Sequence, residues 1–382
     1  MLFVALGDAT DVRTWCGMPY FLSSAGIQAG FFEKAARLPY ESQRRPRAVW
    51  NLLRLLRHAE RGGYQFSIEC GERLFRAGGL FQPHGEVLSQ FPMFPPDSWL
   101  DTSDISYYVD ATLKQIFDVY GISAKVGKRM RSEVLARERD RYERAHRIIC
   151  WSRWAAESMR NDYGIAPSKL FVVPAAANLS DADVPEGGEP PETDLSPLRL
   201  GFIGKQVERK NLALLLRVAE LLDRRGVRVE VAAVGFAPDS VATHRLLRPL
   251  GFIDKRTNMR DFVSFVRSCH FGCLFSHAEA FGIANMEFIR LGVPAMTWDV
   301  GGLADTVPEG LGHVFAAEAQ ADEIAEKLHE YARDEAAYHR LRRAVRARSR
   351  EVTYERVVGR LQKVWAGDKH DCLTTVLSPV SR

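Results

Sequence analysis

Apolar and polar positions along this chain favour strands and helices in turn. Short apolar runs in the first half predict buried strands at residues 2–6, 87–89, 105–109, 147–151 and 170–173. Residues 19–29 have the spacing of a helix, and from residue 198 the alternation begins again. There it predicts helices at 211–225 and 261–268 and strands starting at 198 and covering 227–234. Strands that alternate with helices favour parallel sheets, so the pattern predicts an α/β protein of two Rossmann-like domains with a cleft between them.

A polar segment separates the two halves. Residues 180–197, SDADVPEGGEPPETDLSP, are acidic and rich in Pro and Gly, as is typical of an exposed linker. We therefore predict an N-terminal domain at 1–185, a linker at 186–197, a C-terminal domain at 198–365, and a tail at 366–382 that packs back on the N-terminal domain. Asp181 and Asp183 form an Asp-x-Asp motif, but no apolar strand precedes it, so we do not interpret it as a metal site.

The stretch CLFSHAEAFGIANMEF, from residue 273, reads as a buried strand, a turn at Phe281-Gly282 and a helix at 283–291. Ligands of doubly wound sheets bind beyond the carboxyl ends of the strands, and the start of a helix favours an anion such as phosphate. Glu279 precedes this helix and Glu287 lies one turn inside it. Ionised carboxylates accept hydrogen bonds from hydroxyls, so a phosphate flanked by sugar and ribose hydroxyls, a nucleotide sugar, would fit. A surface helix carrying two unrelated glutamates is the alternative.

Three other motifs follow predicted strands. In GFIGKQVERKN, Lys205 and Lys210 can neutralise a diphosphate without metal, although lysines are common in loops. In TWCGMPYFL, Gly17 lets the backbone approach a ligand, or belongs to an ordinary strand-to-helix connection. In ISYYVDATLKQI, Asp110 either caps a helix or meets an acceptor hydroxyl.

Composition limits the class of protein. The chain has 382 residues, 46% of them hydrophobic, but no apolar run approaches the ~20 residues that span a bilayer. MLFVAL does not resemble a cleavable signal peptide, and the scattered cysteines suggest reduced thiols, so we expect a cytoplasmic protein. A metal cluster of Cys269, His270, Cys273 and His277 is disfavoured, because side chains of one strand alternate between its faces.

The modest net charge of +4 is unevenly placed. Residues 34–61 and 125–147 look helical and are rich in Lys and Arg, which fits either a solvated face or a surface for anionic lipids or a phosphorylated acceptor. The protein could then lie peripherally on the inner face of the membrane. Nucleic acid is not expected as a partner, because no nucleic-acid motif accompanies the charge.

Taken together, the motifs resemble the retaining GT-B glycosyltransferases of family 4, the glycosyl transferases group 1 set. Within that set the chain is most similar to bacterial members with a YxxDAT segment. The matching pieces occur in family order: WCGMPYFL, YYVDAT, IICWSRWAAESMRNDYGI, VVPAAANL, GFIGKQVERKN, GFIDK, EAFGIANME and WDVGG.

The resemblance implies roles for individual residues. Lys205 and Lys210 would hold the diphosphate and stabilise the leaving group, Glu279 would bind the donor sugar, and Glu287 the ribose. Asp110 would orient the acceptor hydroxyl, so Lys205, Lys210, Glu279 and Asp110 are the predicted catalytic residues. The other predicted donor-binding positions are Gly17, Gly204, Ile253 near the base, and the backbone at Phe281, Gly282 and Ile283.

The implied activity is metal-independent hexosyl transfer (EC 2.4) with retention, without a cofactor, from a UDP- or GDP-linked sugar. The acceptor would be a hydroxyl of a glycan or lipid-linked acceptor in bacterial surface polysaccharide or glycoconjugate synthesis. A catalytically silent nucleotide-sugar- or glycan-binding module and a GT-B UDP-sugar epimerase remain alternatives. A dinucleotide-dependent oxidoreductase is disfavoured, because neither half has G-x-G-x-x-G after its first strand.

Overall fold

A computed structural model describes residues 1–184 and 194–367 of the chain. It divides into two compact units. The first comprises Met1–Pro174 and the chain from Val357 onward, and the second comprises Ala175–Arg356. Most of the predicted linker and tail lies outside the described residues.

The first unit is built on a parallel sheet, with six strands in its described part in the order β2-β1-β3-β4-β5-β6. Its strands are β1 Leu2–Val4, β2 Lys34–Ala35, β3 Glu86–Ser89, β4 Asp104–Val109, β5 Arg147–Cys150 and β6 Leu170–Val172. Its helices are α1 Met18–Gln28, α2 Arg44–His58, α3 Ile68–Ala77, α4 Leu113–Val119, α5 Lys128–Arg144 and α6 Arg153–Asn161. The central strands are almost continuously buried, as expected where helices cover both faces of a parallel sheet.

The second unit repeats this plan, with six parallel strands among its described residues in the order β12-β11-β10-β7-β8-β9. The strands are β7 Leu198–Ile203, β8 Val229–Val234, β9 Leu247–Pro249, β10 Phe271–Leu274, β11 Ala295–Trp298 and β12 Gly312–Phe315. The helices are α7 Leu212–Arg224, α8 Met259–Ser268, α9 Ile283–Arg290, α10 Ala321–Arg333 and α11 Glu335–Arg348, followed by α12 Tyr354–Trp365. Two Rossmann-like units of this kind confirm the predicted GT-B fold class.

Two glycines bring α9 close to the sheet of the second unit. A Cβ on Gly272 of β10 would lie 2.2 Å from the ring of Phe288, and a Cβ on Gly201 of the neighbouring β7 would lie 2.8 Å from it. Phe288 therefore packs where both strands lack side chains. This contact fixes the depth of α9, and with it the position of the adjacent Glu287.

The boundaries of the two units differ from the domain boundaries predicted from the sequence. The division falls between Pro174 and Ala175 rather than near residue 185, and the chain rejoins the first unit at Val357, within α12. Trp365 explains the return, because its ring packs edge-on against Phe31 at 5.2 Å and receives the guanidinium of Arg147 at 4.7 Å. The periodicity of α12 predicts a helix but not which core the helix joins.

The Asp-x-Asp motif is part of the second unit. Asp181 forms an ion pair with the buried Arg290 of α9, and Asp183 accepts hydrogen bonds from the backbone N–H and hydroxyl of Ser180, at 2.8 and 2.6 Å. Both carboxylates therefore have structural partners. Within the described residues, no helix is both long and apolar enough to cross a bilayer.

Candidate functional site

The predicted donor residues of the second unit lie at one edge of its sheet. Because the strands are parallel, the loops that follow β7, β9, β10 and β11 all emerge at their carboxyl ends. Lys205 and Lys210 follow β7, Ile253 follows β9, and Glu279 follows β10. The fold thus gathers at one edge residues that lie far apart in the sequence.

The turn before α9 depends on glycine. Gly282 caps the helix with φ 91° and ψ 59°, a left-handed conformation that strains other residues. A Cβ at this position would lie 2.5 Å from Cδ2 of Leu303. Phe281 is buried beside it, and Ile283 begins the helix. The first-turn N–H groups, the positive end of the helix dipole, therefore lie at the edge where the cations gather.

Glu279 is the centre of a charged cluster. Its Oε2 accepts from Arg209 Nη1 at 3.0 Å, from Lys210 Nζ at 3.3 Å and from Ser276 Oγ at 3.2 Å. Arg209 also donates to the carbonyl oxygen of Ala278. The carboxylate is thus held in one orientation by partners from two loops.

The charge of Glu279 is stabilised by these cations. Burial by itself raises the pKa of the carboxyl, but the charges of Lys210 and Arg209 outweigh it and hold the pKa below its ordinary value. Glu279 is therefore ionised at neutral pH and acts as a hydrogen-bond acceptor. One carboxylate meets two cations, so the cluster keeps a surplus of positive charge.

Glycines also shape the surroundings of Glu279 and Lys210. A Cβ on Gly301, whose φ is +60°, would lie 2.0 Å from the backbone oxygen of Glu279, which accepts from the N–H of Gly302 at 3.2 Å. A Cβ on Gly204 would lie 2.2 Å from Cδ of Lys210. Gly204 therefore has a clear steric role: it leaves room for the lysine side chain.

Lys205 and Ile253 lie on the outer part of this edge. The Lys205 side chain is exposed, and its Nζ lies 4.8 Å from the ring centroid of Phe252, which is itself 58% exposed. Ile253 follows in the same loop and is half-buried. The cation and the apolar surface thus lie side by side.

Glu287 lies deeper than Glu279. It is 3% exposed and forms an ion pair with Lys255, whose Nζ also lies 4.0 Å from the ring centroid of Phe262. Lys255 comes from the loop after β9, the edge strand of the sheet. The two glutamates thus have separate cationic partners.

Sequence reasoning missed two of these cations, Arg209 and Lys255. Both belong to quoted motifs, since Arg209 directly precedes Lys210 in GFIGKQVERKN and Lys255 ends GFIDK. Both lie within two residues of a predicted site residue, and this closeness in the sequence could have indicated that they belong to the site. What the sequence did not supply was the pairing of each with a particular glutamate.

The remaining two predicted site residues, Gly17 and Asp110, belong to the first unit. Gly17 caps α1 with φ 98°, after Trp15 and Cys16 with φ 46° and 59°, so this turn is a strained left-handed run. Asp110 is half-buried directly after β4. It is not the cap of α4, because Thr112 fills that position and forms a capping box with Gln115.

The Cys/His set does not form a metal centre. Cys269 and Cys273 are buried, and burial raises the pKa of the Cys269 thiol to about 12. His270 Nδ1 accepts the backbone N–H of Arg199 at 2.7 Å, and burial lowers its pKa to about 4, whereas His277 is exposed. In the part of the chain that the structure describes, no group of three or more His, Cys, Asp or Glu residues could hold a metal ion.

Over part of its length the chain is similar to curated glycosyltransferases. D-inositol 3-phosphate glycosyltransferase 2 of Catenulispora acidiphila is 28% identical over 194 residues, which cover 45% of this chain and 44% of that protein. D-inositol 3-phosphate glycosyltransferase of Nocardiopsis dassonvillei is 25% identical over 245 residues, covering 58% and 56%. The chain therefore spans about half the length of the curated relatives it matches.

Solved structures agree in fold. Sucrose-phosphate synthase from Thermosynechococcus elongatus superposes with a TM-score of 0.66 over 96% of this chain and 98% of that one, at 13% identity. Anabaena HepE in complex with UDP and glucose gives a TM-score of 0.58 over 96% and 100%, at 11% identity. At such identities the likeness concerns the fold alone.

The match to a protein-family model lies in the second unit, which holds the Glu279 cluster. Residues 189–348 match the model described as glycosyl transferases group 1. This segment includes Lys205, Arg209, Lys210, Glu279 and Glu287. The chain has the GT-B fold, and its second unit carries a glycosyl transferases group 1 domain.

Proposed function

We propose that this protein transfers a hexose from a nucleoside-diphosphate sugar to a hydroxyl acceptor. The observation that carries the proposal is the Glu279 cluster, in which Lys210 and Arg209 share one carboxylate beside the start of α9. A site with fixed cations, helix N–H groups and an ionised acceptor suits a ligand that has a diphosphate next to sugar hydroxyls.

In this proposal Lys210 and Lys205 bind the diphosphate. Lys210 is held next to Glu279 by the shape of the loop, whereas Lys205 is exposed and free to turn toward an anion. Their charge would stabilise the nucleoside diphosphate as it leaves, which is the role that a metal ion has in other transferases. The N–H groups at Gly282 and Ile283 would add to this field.

The two glutamates would bind hydroxyls on either side of the diphosphate. Glu279, ionised and oriented by Arg209, would accept from hydroxyls of the donor sugar, and Glu287 from the ribose. Ile253 and the neighbouring exposed ring of Phe252 offer apolar surface for the base. We propose UDP or GDP as the nucleotide, and because a protein of the same fold was crystallised with UDP and glucose, UDP-glucose is the first donor to test.

We further propose that the anomeric configuration is retained. The acceptor hydroxyl would attack from the face of the leaving group, a phosphate oxygen would take its proton, and the bond between sugar and phosphate would break. No separate protein base is needed in such a step, which agrees with a Glu279 already occupied by cations. We propose Asp110 and Gly17 of the first unit as acceptor- and phosphate-contacting residues, and a glycan or lipid-linked glycan of the bacterial surface as acceptor.

The test is a screen of UDP-, GDP- and ADP-sugars by thermal shift, followed by turnover. A donor at 100 times its dissociation constant should stabilise the protein by about 2.7 kcal/mol. Transfer or slow hydrolysis of that donor, with NMR assignment of the product anomer, would support a retaining transferase. Binding without turnover would favour the silent module, and an epimerised nucleotide sugar would favour the epimerase.

A further inference from the structure

Helix α2 of the first unit, Arg44–His58, has an unusual surface. None of its residues is buried, although it contains four leucines, a valine and a tryptophan. Val49, Leu52, Leu53 and Leu56 are 59%, 57%, 45% and 74% exposed. Their spacing of three, four and seven places them on one face of the helix.

The opposite face attaches α2 to the unit. The ring of Trp50 packs against Tyr64 at 5.7 Å, and Arg54 forms ion pairs with Glu60 and Glu133 at 3.5 and 3.2 Å. Asn51 accepts the backbone N–H of Gly62 at 2.9 Å. The exposed apolar face is therefore turned away from the core of its own unit.

Arginines without a carboxylate partner accompany this apolar face. Arg45 lies on it and Arg57 lies directly beside it at helical spacing, while Arg44, in the first turn, lies nearer the attached face. All three are exposed, and among residues 1–184 and 194–367 no carboxylate lies within ion-pair distance of them. A face of leucines with arginines on and beside it is complementary to acyl chains below a layer of anionic head groups.

Helix α5, Lys128–Arg144, is the other basic segment, and five of its six arginines already have partners in the structure. Arg129 pairs with Glu133 at 2.9 Å, Arg144 pairs with Asp140 and Asp101, each at 3.0 Å, and Arg139 donates to two backbone carbonyls. The apolar residues of α5 are buried in its own core, Met130, Val134 and Tyr142 among them. Helix α5 is as rich in arginine as α2, but it also carries four acidic residues where α2 has none, and it exposes no comparable apolar face.

We propose that α2 is an interfacial membrane anchor, which lies in the plane of an anionic phospholipid surface with Val49, Leu52, Leu53 and Leu56 inserted among the lipids. A helix of 15 residues with five arginines is suited to lying in the interface rather than to spanning it. The inference is independent of the donor chemistry, since α2 belongs to the first unit and the donor cluster to the second.

The test is co-sedimentation of the full chain with vesicles of phosphatidylcholine and phosphatidylglycerol in equal parts, and with phosphatidylcholine alone, over a NaCl series. Two variants probe α2: Arg44→Gln with Arg45→Gln and Arg57→Gln, and Leu52→Gln with Leu56→Gln. The matched control removes the same number of charges from α5: Arg129→Gln with Arg139→Gln and Arg144→Gln. Circular dichroism melts establish that each variant is folded.

Wild type should sediment with the anionic vesicles, and raised salt should weaken the binding. Neutralising the three α2 arginines should lower the partition coefficient on the order of 100-fold, since each is worth about 1 kcal/mol near an anionic leaflet. The leucine variant should lose on the order of 100-fold even at low salt, because two apolar side chains no longer enter the lipid. The α5 control should bind within roughly threefold of wild type.

Three outcomes would overturn the proposal: no binding of wild type to anionic vesicles, undiminished binding of the folded leucine variant, or an equal loss in the α5 control. Sedimentation velocity tests the alternative that a second copy of this chain covers the apolar face. A dimer of the wild type that Leu52→Gln with Leu56→Gln dissociates, without vesicle binding, would identify the face as a contact between copies of this chain. Hydrolysis of a soluble donor is expected to be unchanged in both α2 variants.

Discussion

Lys210 Nζ lies 3.3 Å from Oε2 of Glu279, and this contact joins the loop after β7 to the loop after β10. The lysine proposed to hold a diphosphate thus also holds the carboxylate proposed to bind the sugar. Arg209 contacts the same oxygen at 3.0 Å, so Lys210 can turn toward a phosphate without leaving Glu279 unpaired.

Replacing either proposed phosphate lysine should impair transfer while the protein stays folded. Lys210→Ala and Lys205→Ala should each lower turnover roughly 100- to 1,000-fold at saturating donor, the usual loss for one group that stabilises charge in the transition state. Arg224→Ala is the control, because it removes one positive charge at the opposite end of α7. Near wild-type kcat in both lysine variants would exclude their assignment to the diphosphate.

Glu279→Gln should separate binding of the nucleotide from use of the sugar. The substitution keeps the shape of the side chain but removes the charge that competes for Lys210 and Arg209. We therefore expect UDP or GDP, whichever is bound, to bind as tightly as in wild type or more tightly, while transfer falls at least roughly tenfold. Calorimetric titration with the nucleotide and with its sugar provides the measurement. An equal loss of affinity for both ligands would contradict a sugar-contacting role.

Gly301→Ala should damage the site more than an equally strained glycine substitution elsewhere. A Cβ at Gly301 would lie 2.0 Å from the backbone oxygen of Glu279, so the loop must shift. Gly310→Ala is the control, because Gly310 has a similar φ of +79° but open space where the Cβ would lie. The control should cost about 1 kcal/mol for its left-handed conformation, and Gly301→Ala more.

Denaturant melts and donor titrations of the two glycine variants would measure the difference. Equal stability and equal donor affinity in both would show that the loop does not position Glu279.

Acid should remove the contribution of Glu279 to stability. Its pKa is lowered from 4.5 in the folded protein, so the folded state binds its proton less readily than the unfolded chain does. The ionised carboxylate therefore stabilises the fold above pH 4.5, and this contribution is lost as pH falls through the lower folded pKa.

Thermal melts of wild type and Glu279→Gln test this pH dependence. The difference in Tm should be constant from about pH 7 to pH 5 and should shrink at more acidic pH. A difference that grew on acidification would contradict the ion-pair account of the cluster.

Transfer should continue in the presence of EDTA. Lys205, Lys210 and the start of α9 supply the positive field in the proposed mechanism, and Asp181 and Asp183 are already bound within the second unit. The measurement is turnover before and after chelation, with manganese added back. A strict requirement for manganese would contradict this mechanism and would indicate that carboxylates of the chain form a metal site.

The sequence by itself determined the elements and turns that depend on residues close together along the chain. The alternation of apolar runs and helical spacing predicted two Rossmann-like units, because burial on both faces of a parallel sheet leaves continuous apolar strands. The turn at Phe281-Gly282 and the helix after it were also local, since a left-handed cap followed by apolar spacing is encoded within a few residues. Helix α9 accordingly begins and ends within one residue of its predicted bounds.

Only the tertiary structure decided which residues meet. Lys210 and Glu279 are 69 positions apart, and Lys255 and Glu287 are 32 apart, so no local pattern pairs them. The strand order β10-β7-β8-β9 brings the loops after β7, β9 and β10 and the helix α9 to one edge, and that order follows from the packing of whole elements. The same reason separates α2 from α5: both are rich in arginine, but Asp97, distant in sequence, pairs with Arg137 and Arg141 of α5, whereas Arg44, Arg45 and Arg57 of α2 stay at the surface.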